Sequence, residues 1–327
     1  MRISKKRLFD IIDNFKTKRI LVYGDLILDR YIIGDIERIS REAPVPILKV
    51  KKEKFRPGGA GNVTLNIQSL SAKPHLISFT GNDGFSKHFN DFFNDKNSNI
   101  FFNNRNKTIV KSRIISQNQQ LIRIDREESV NINDNELKDL ERIIKGLNVD
   151  AIILSDYSTG SINSEILTMF KRKSKEDDIL LLLDPKPINY SIYGKDFSII
   201  TPNTAEAEAL VKFKIISDED ARKAVKIISR RFKTKHTVLT RGEKGITAFE
   251  RGKNIFTIPS YSHEVYDVTG AGDTVASVLL LSLCSGANLK EAVILSNLAA
   301  SIVIERIGAS QCSVEELKKR IIDIYGK

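Results

Sequence analysis

AIILSDYSTGSINSEILTMFKRKSKEDDILLLLD, residues 151–184, decides the fold. It opens on one apolar run, 151–156, and closes on another, 179–184, with a helical stretch at 163–174 between them. Neither run alternates apolar with polar residues, so each reads as a strand covered on both faces. A strand, a helix and a strand in that order imply a right-handed crossover and a parallel pair. The same grammar continues outward. A helix over 136–146 precedes this unit. Strand FSIITPN (197–203), helix 204–212, helix 219–232 and strand HTVLT (236–240) follow it. Upstream, RILVYGD (19–25) is a short apolar run ending in Gly and Asp, as a buried strand does at the carboxyl edge of a parallel sheet. Residues 75–80 read as another strand. Leu8, Phe9, Ile11, Ile12 and Phe15 recur at helical spacing within 1–18. The class is α/β, a mainly parallel sheet with helices on both faces.

Two stretches break the grammar. Tyr31–Val50 holds Pro44 and Pro46 and alternates only in part, and 108–124, TIVKSRIISQNQQLIRI, alternates like exposed antiparallel strands. No internal repeat or long Ser/Gly/Pro linker divides the chain. We therefore expect one α/β domain over 1–327, with strand-rich segments near 31–55 and 105–125.

The chain has 327 residues, 41% of them apolar and 28% charged, which argues against disordered, collagenous or low-complexity classes. No apolar run reaches the roughly 18 residues of a membrane helix. MRISKKRLFD has basic residues but no apolar stretch behind them, so no secretory signal is expected. Cys284 and Cys312 cannot make a disulfide framework, and a cytoplasmic setting is expected. Lys and Arg number 52 and Asp and Glu 41, a net +11. The excess is uneven. Residues 1–130 hold 24 basic and 14 acidic side chains, whereas 131–327 hold 28 and 27. A solvated basic surface, nucleic-acid binding and a small anionic substrate all fit, and charge alone does not choose among them.

DVTGAGD (267–273), followed by the apolar TVASVLLLSLCSG, carries the strongest chemical signal. Unpartnered N–H groups and the positive end of the dipole meet at a helix N-terminus. Small residues let an anion approach closely, so Gly270, Ala271 and Gly272 form a cradle for phosphate oxygens. Asp273, just inside it, can accept a hydroxyl proton. Asn203 and Glu206, three apart at a helix start, can face one point. TRGEKG (240–245) suits a tight turn through Gly242 and Gly245. Asn297 and Ser301 lie four apart in SNLAASIVIE. In RPGGAGNVTLNIQSL (56–70) a Gly-rich turn meets a helix that Asn62 could cap. Asp25 and Asp29 flank the end of the first strand and suit vicinal diols. Arg offers phosphate a planar fork. The four histidines, His75, His88, His236 and His263, show no ligand spacing.

Two Gly-rich signatures in this order, GGAGN and DVTGAGD, resemble those of the ribokinase-like, or PfkB, carbohydrate kinases, and the likeness runs over essentially the whole chain. GDLILDRYIIGDIERISREAPVPILKV, RPGGAGNV, DPK, TPNTAEAEAL and EVYDVTGAGDT are similar to the D-glycero-β-D-manno-heptose 7-phosphate kinases. Arg41 replaces a Pro of that pattern, and Gly61 stands where Ala is common; neither change removes a chemical group. No H-x-G-H signature is present, so a nucleotidyltransferase half is not expected.

The resemblance implies a three-layer α/β/α ribokinase-like fold with a small β lid. It implies an ATP-dependent kinase acting on O1 of the heptose 7-phosphate. Asp273 is then the general base, and the N–H groups of Gly270, Ala271 and Gly272 steady the transferring phosphoryl group. Asn203, Thr204, Ala205 and Glu206 lie by the nucleotide phosphates, with Glu206 organising Mg²⁺ through water. Thr240, Gly242 and Gly245 cover phosphates and ribose, and Asn297 and Ser301 flank adenine. Asp25, Gly58, Gly59 and Asn62 touch the sugar, and Asp29 touches it or holds the lid. Arg56, Lys111, Arg113, Arg123 and Lys186 are candidates for the substrate phosphate. A homodimer through the lid is expected, with no nucleic-acid or membrane partner. Other readings stay open: a kinase for ribose, fructose or a phosphorylated hexose, a nucleic-acid-binding protein, or a silent sugar sensor. Sparse aromatics in the basic strands count against nucleic acid.

Overall fold

The computed structural model describes residues 4–93, 98–103, 106–117, 119–262, 265–306 and 308–325. Arg105 and Asn118, within the second strand-rich segment, and His263 lie outside the described residues.

Helix α1 (Lys5–Asp13) leads into β1 (Arg19–Gly24), the long strands β2 (Leu26–Ile39) and β3 (Pro46–Gly59), α2 (Ala60–Ser69), β4 (Lys73–Gly81) and β5 (Ser98–Asn103). Next come β6 (Ile109–Ser116), β7 (Gln119–Arg126), α3 (Asp134–Gly146), β8 (Ala151–Ser155), α4 (Ser164–Glu176) and β9 (Leu180–Asp184). The last third holds β10 (Ile199–Ile200), α5 (Thr204–Val211), α6 (Asp218–Phe232), β11 (His236–Thr240), β12 (Ile246–Glu250), β13 (Ile255–Ile258), α7 (Ala271–Cys284), α8 (Leu289–Val303) and α9 (Val314–Tyr325).

Among the described residues, nine strands form one sheet in the order β13-β12-β11-β10-β9-β8-β1-β4-β5. Pairing is parallel from β5 to β11 and antiparallel at β12 and β13. Side chains of a strand point alternately to its two faces, and β1 shows what this does. Ile20 and Val22 join the apolar cluster made with α1, α2, α7, α8 and α9. Leu21 and Tyr23 join the cluster made with α3, α4, α5 and α6. The three layers follow from that split.

The two segments that broke the sequence grammar meet in a second sheet, β3-β2-β6-β7. β2 and β6 are parallel, and the outer pairs are antiparallel. This sheet is longer than the sequence suggests. β2 starts at Leu26, directly after β1, because Leu26 and Leu28 are buried in the main core, and β3 runs on to Gly59. Its outer strands carry exposed Val50, Leu121, Ile122 and Ile124.

Other differences have plain causes. The strand expected at 197–203 shrinks to Ile199–Ile200, since Pro202 has no N–H to give a ladder and Asn203 already caps α5. Asn62 does not cap α2. Gly59 does, at φ 57°, and Asn62 lies inside the first turn with its side chain buried.

Candidate active site

Helix α7 starts at the carboxyl end of the main sheet, where open α/β sheets bind ligands. The turn before it is held by Asp267, which accepts from Thr269 N at 2.8 Å and from Gly308 N at 2.9 Å. Burial pushes this carboxyl up, but those hydrogen bonds outweigh it and leave it below the ordinary range. Gly270 caps the helix at φ 80° with no side-chain bond to the first N–H groups. A Cβ here would lie 2.6 Å from Asn62 Nδ2, so glycine is required twice over. Ala271 N–H already donates to Val268 O at 3.2 Å, which leaves less of the cradle free than the sequence suggested.

Asp273 sits in that first turn, 3% exposed. Its Oδ2 accepts from Asn62 Nδ2 at 2.7 Å, and its Oδ1 accepts from the Tyr157 hydroxyl at 3.0 Å. Burial pushes the carboxyl up to about 6, against the lowering effects of Asn62, Tyr157 and Lys186. A carboxylate with that affinity is ionised at neutral pH yet able to take a proton.

Two cavities meet at this turn. One, of about 400 Å³, is lined by Ala271, Gly272 and Val275 of α7, by Asn203 and Thr240, by Gly242 and Gly245, and by Asn297, Ala300 and Ser301 of α8. Eight residues named for the nucleotide or the cradle thus share one wall. Thr204, Ala205 and Glu206 do not line it. Asn297 donates to Pro259 O at 2.7 Å, and Ser301 donates to Leu298 O at 2.7 Å, so both also brace α8. The second cavity, of about 150 Å³, is lined by Thr269, Gly270, Asp273, Asn62, Gly58, Gly59, Asp29, Lys111, Arg113, Arg123 and Tyr157. The cationic side chains come from the second sheet. Arg113 of β6 stands opposite Arg123 of β7 and beside Tyr31 of β2, and Lys111 lies two residues along β6. Like charges opposite each other on a sheet destabilise it unless something anionic lies between them. Arg113 pairs with Asp29 at 2.5 Å, Lys111 with Glu127 at 2.8 Å, and Arg123 with Asp125 at 2.9 Å.

Three expected residues sit elsewhere. Asp25 does not line the second cavity, and its oxygens are taken up by the loop after β8. It accepts from Tyr157 N at 2.6 Å, Thr159 N at 3.2 Å and Ser161 N at 3.3 Å, and from the Ser161 hydroxyl. Arg56 also lies off the cavity and reaches Ala309 O at 3.4 Å. Lys186, expected on the substrate phosphate, pairs with Glu206, and its ammonium lies 5.0 Å above the Tyr157 ring.

Glu206 completes a capping box on α5, its carboxylate accepting from Asn203 N at 2.9 Å. Asp184, at the end of β9, shares this corner. Burial first, and then the charge of Glu206, push it up to about 8. Sequence reasoning assigned no role to Asp184 or Tyr157. Each stands at or just after a strand's carboxyl end, the one signal that could have found them. Gln311 was missed too, and it steadies Asn62 by donating to its Oδ1 at 3.0 Å. His88 stacks on Phe55, and no cluster of three or more His, Cys, Asp or Glu suited to a metal occurs among the described residues. No described helix is long and apolar enough to cross a membrane.

A parallel sheet with a glycine-capped helix between two cavities defines a ribokinase-like architecture. Escherichia coli phosphofructokinase-2 in complex with substrates and products superposes with a TM-score of 0.76 at 20% identity, over 94% of this chain and 99% of that one. Arabidopsis thaliana ribokinase complexed with ribose and ATP gives 0.73 at 18% identity, over 93% and 98%. The chain belongs to the pfkB family of carbohydrate kinases, whose model matches residues 17–316. Among curated proteins, the bifunctional protein HldE of Helicobacter pylori (strain J99) is 40% identical over 305 residues, 92% of this chain. That of Vibrio parahaemolyticus is 37% identical over 314 residues, 95% of this chain. The chain spans 65% of the length of each of these two relatives. It is therefore a carbohydrate kinase, and kinases of this family use ATP.

Proposed function

We propose that this kinase phosphorylates O1 of D-glycero-D-manno-heptose 7-phosphate, giving the 1,7-bisphosphate, a precursor of lipopolysaccharide inner-core heptose. One observation carries the reading. The first turn of α7 walls both cavities, with Ala271 and Gly272 facing the larger and Gly270 and Asp273 the smaller. A phosphoryl donor in one and a hydroxyl acceptor in the other meet at the same helix N-terminus, where positioning and electrostatics do most of the catalytic work. Asp273 takes the proton of the anomeric hydroxyl. The free N–H groups of the turn hold the oxygens of the group in transit.

The larger cavity takes ATP, with Thr240, Gly242 and Gly245 along its phosphates and ribose and Asn297 and Ser301 by the base. Gly58, Gly59 and Asn62 let the sugar lie close to backbone. The opposed Arg113 and Arg123, with Lys111, read the 7-phosphate, and Asp29 holds Arg113 in place. This gives the basic first 130 residues a purpose that nucleic acid does not need. The crowded carboxylates of Glu206 and Asp184 fit Mg²⁺, which Glu206 would hold through water, as the family resemblance implies. When bound, that ion neutralises charge on the phosphates of ATP. The second sheet acts as the lid, and exposed Val50, Leu121, Ile122 and Ile124 on its outer strands suit pairing with a second copy. The setting is cytoplasmic.

The test is ATP consumption against a panel of the heptose 7-phosphate, fructose 6-phosphate, fructose and ribose. The heptose 7-phosphate is expected to give the highest kcat/KM. A neutral sugar that outperforms it overturns the substrate assignment.

A further inference from the structure

Tyr157 is the third side chain at the reacting centre. It lines the smaller cavity, and its backbone and ring are both restrained. Its N–H donates to Asp25 at 2.6 Å, the next residue turns into the left-handed region at φ 63°, and the Lys186 ammonium rests 5.0 Å from the ring centre. The hydroxyl therefore has little freedom, and it reaches Asp273 Oδ1 at 3.0 Å while Asn62 holds Oδ2. We propose that Tyr157 is a positioning residue for phosphoryl transfer, fixing which lone pair of Asp273 meets the sugar hydroxyl and the pH at which that carboxylate accepts its proton. The inference rests on the reading of Asp273 as the base.

Tyr157 cannot be the base itself. Burial, and next the charge of Asp273, push its phenol well above the ordinary value, so it stays protonated and only donates. Its donation favours the ionised form of Asp273. The groups facing Asp273 are Asn62 from α2, Tyr157 from the loop after β8, Lys186 from the turn after β9, Asp29 from β2 and, at the end of β9, Asp184, whose charge also opposes that of Asp273. Burial and Asp29 raise the carboxyl, and Asn62, Tyr157 and Lys186 lower it. Removing the hydroxyl alone shifts that balance upward and frees Oδ1 to rotate.

The experiment is Tyr157→Phe, which keeps the ring, with kcat/KM measured from pH 5 to 9 on the best acceptor of the sugar panel. The acid limb is expected to rise by about one unit, the scale of one hydrogen bond to a charged partner. Activity then falls about fivefold near pH 6 and recovers by pH 8.5. A ¹³C titration of the labelled Asp273 carboxyl should move by the same amount without substrate. An unmoved limb, with an equal loss at every pH, overturns the proposal. Asp273→Asn is assayed beside it. If that variant is inactive while the Tyr157→Phe limb stays put, only the role of Tyr157 falls. If it turns over normally, the base assignment falls and this inference with it.

Discussion

Asp273→Asn should make the protein more stable while nearly silencing it. The carboxylate is buried, and its affinity for protons rises from 3.8 to about 6. A carboxyl whose folded pKa lies above its unfolded value stabilises the native state least when ionised. Its contribution is fully present below about pH 4 and is lost as pH rises through about 6. About two units at 1.36 kcal/mol each make the ionised group costly by about 3 kcal/mol. Asparagine removes that penalty, but not cleanly. Its amide nitrogen replaces one carboxylate oxygen and so meets either Asn62 Nδ2 or the Tyr157 hydroxyl, each of which donates there in the parent, and turning Asn62 over would break its bond from Gln311 at 3.0 Å. The mismatch removes about 1–2 kcal/mol of the gain. The expected net change is therefore a gain of about 1–2 kcal/mol at pH 7.5 and a loss of about 1–2 kcal/mol at pH 4. Turnover is expected to fall about 10²–10⁴-fold, the worth of a positioned base. Denaturant unfolding at both pH values, with ATP turnover on the same samples, measures each part. A variant less stable than the parent at pH 7.5, or stabilised equally at both pH values, refutes the argument that charge burial is responsible. Near-normal turnover refutes the base.

Gly270→Ala places a methyl 2.6 Å from Asn62 Nδ2 at a φ of 80°, and we expect a loss of about 2 kcal/mol or more with at least tenfold lower activity, read by unfolding and ATP consumption. Arg113→Gln and Arg123→Gln should each raise KM for a phosphorylated sugar about 10–100-fold and leave kcat and any neutral-sugar activity nearly unchanged; an unchanged KM removes that residue from phosphate recognition. His236 is buried and held down to about 4 by desolvation, so the unfolded chain binds its proton more readily and stability should fall as pH drops from about 6.5 to 4. His236→Gln should recover about 2 kcal/mol of that loss at pH 4.5, measured as the difference in unfolding free energy from the parent.

What could be read from the sequence was local. The run from 151 to 184 announces a parallel pair because periodicity and length are properties of neighbours, and DVTGAGD announces a helix start for the same reason. Some element ends are misjudged locally, at Pro202 and Asn62, but what the sequence cannot supply at the site concerns partners far away in the chain. Nothing in GDLILD says whether Asp25 meets a sugar or the backbone of residues 157–161, since a carboxylate accepts either. DPK put Lys186 at a strand end, correctly, but only the fold brings Glu206 within its reach. Tyr157 follows a buried strand in a loop, where an aromatic residue is usually packing, and its donation to Asp273 spans 116 residues. β12 and β13 are short and carry Thr beside their apolar residues, so neither stood out against its turns.

The carboxylate at the centre is fixed by Asn62, 211 residues away in sequence, and by Tyr157, 116 residues away. Contacts of such long separation form late, because much chain must be closed before they return any stability. During synthesis, the walls of the smaller cavity on β2, β3, α2, β6 and β7, and those of the larger one at Asn203, Thr240 and Gly245, exist before α7 has been made. A nascent chain can thus settle most of its sheet while chemically inert, and it gains the power to move phosphate only when α7 docks between α2 and α8.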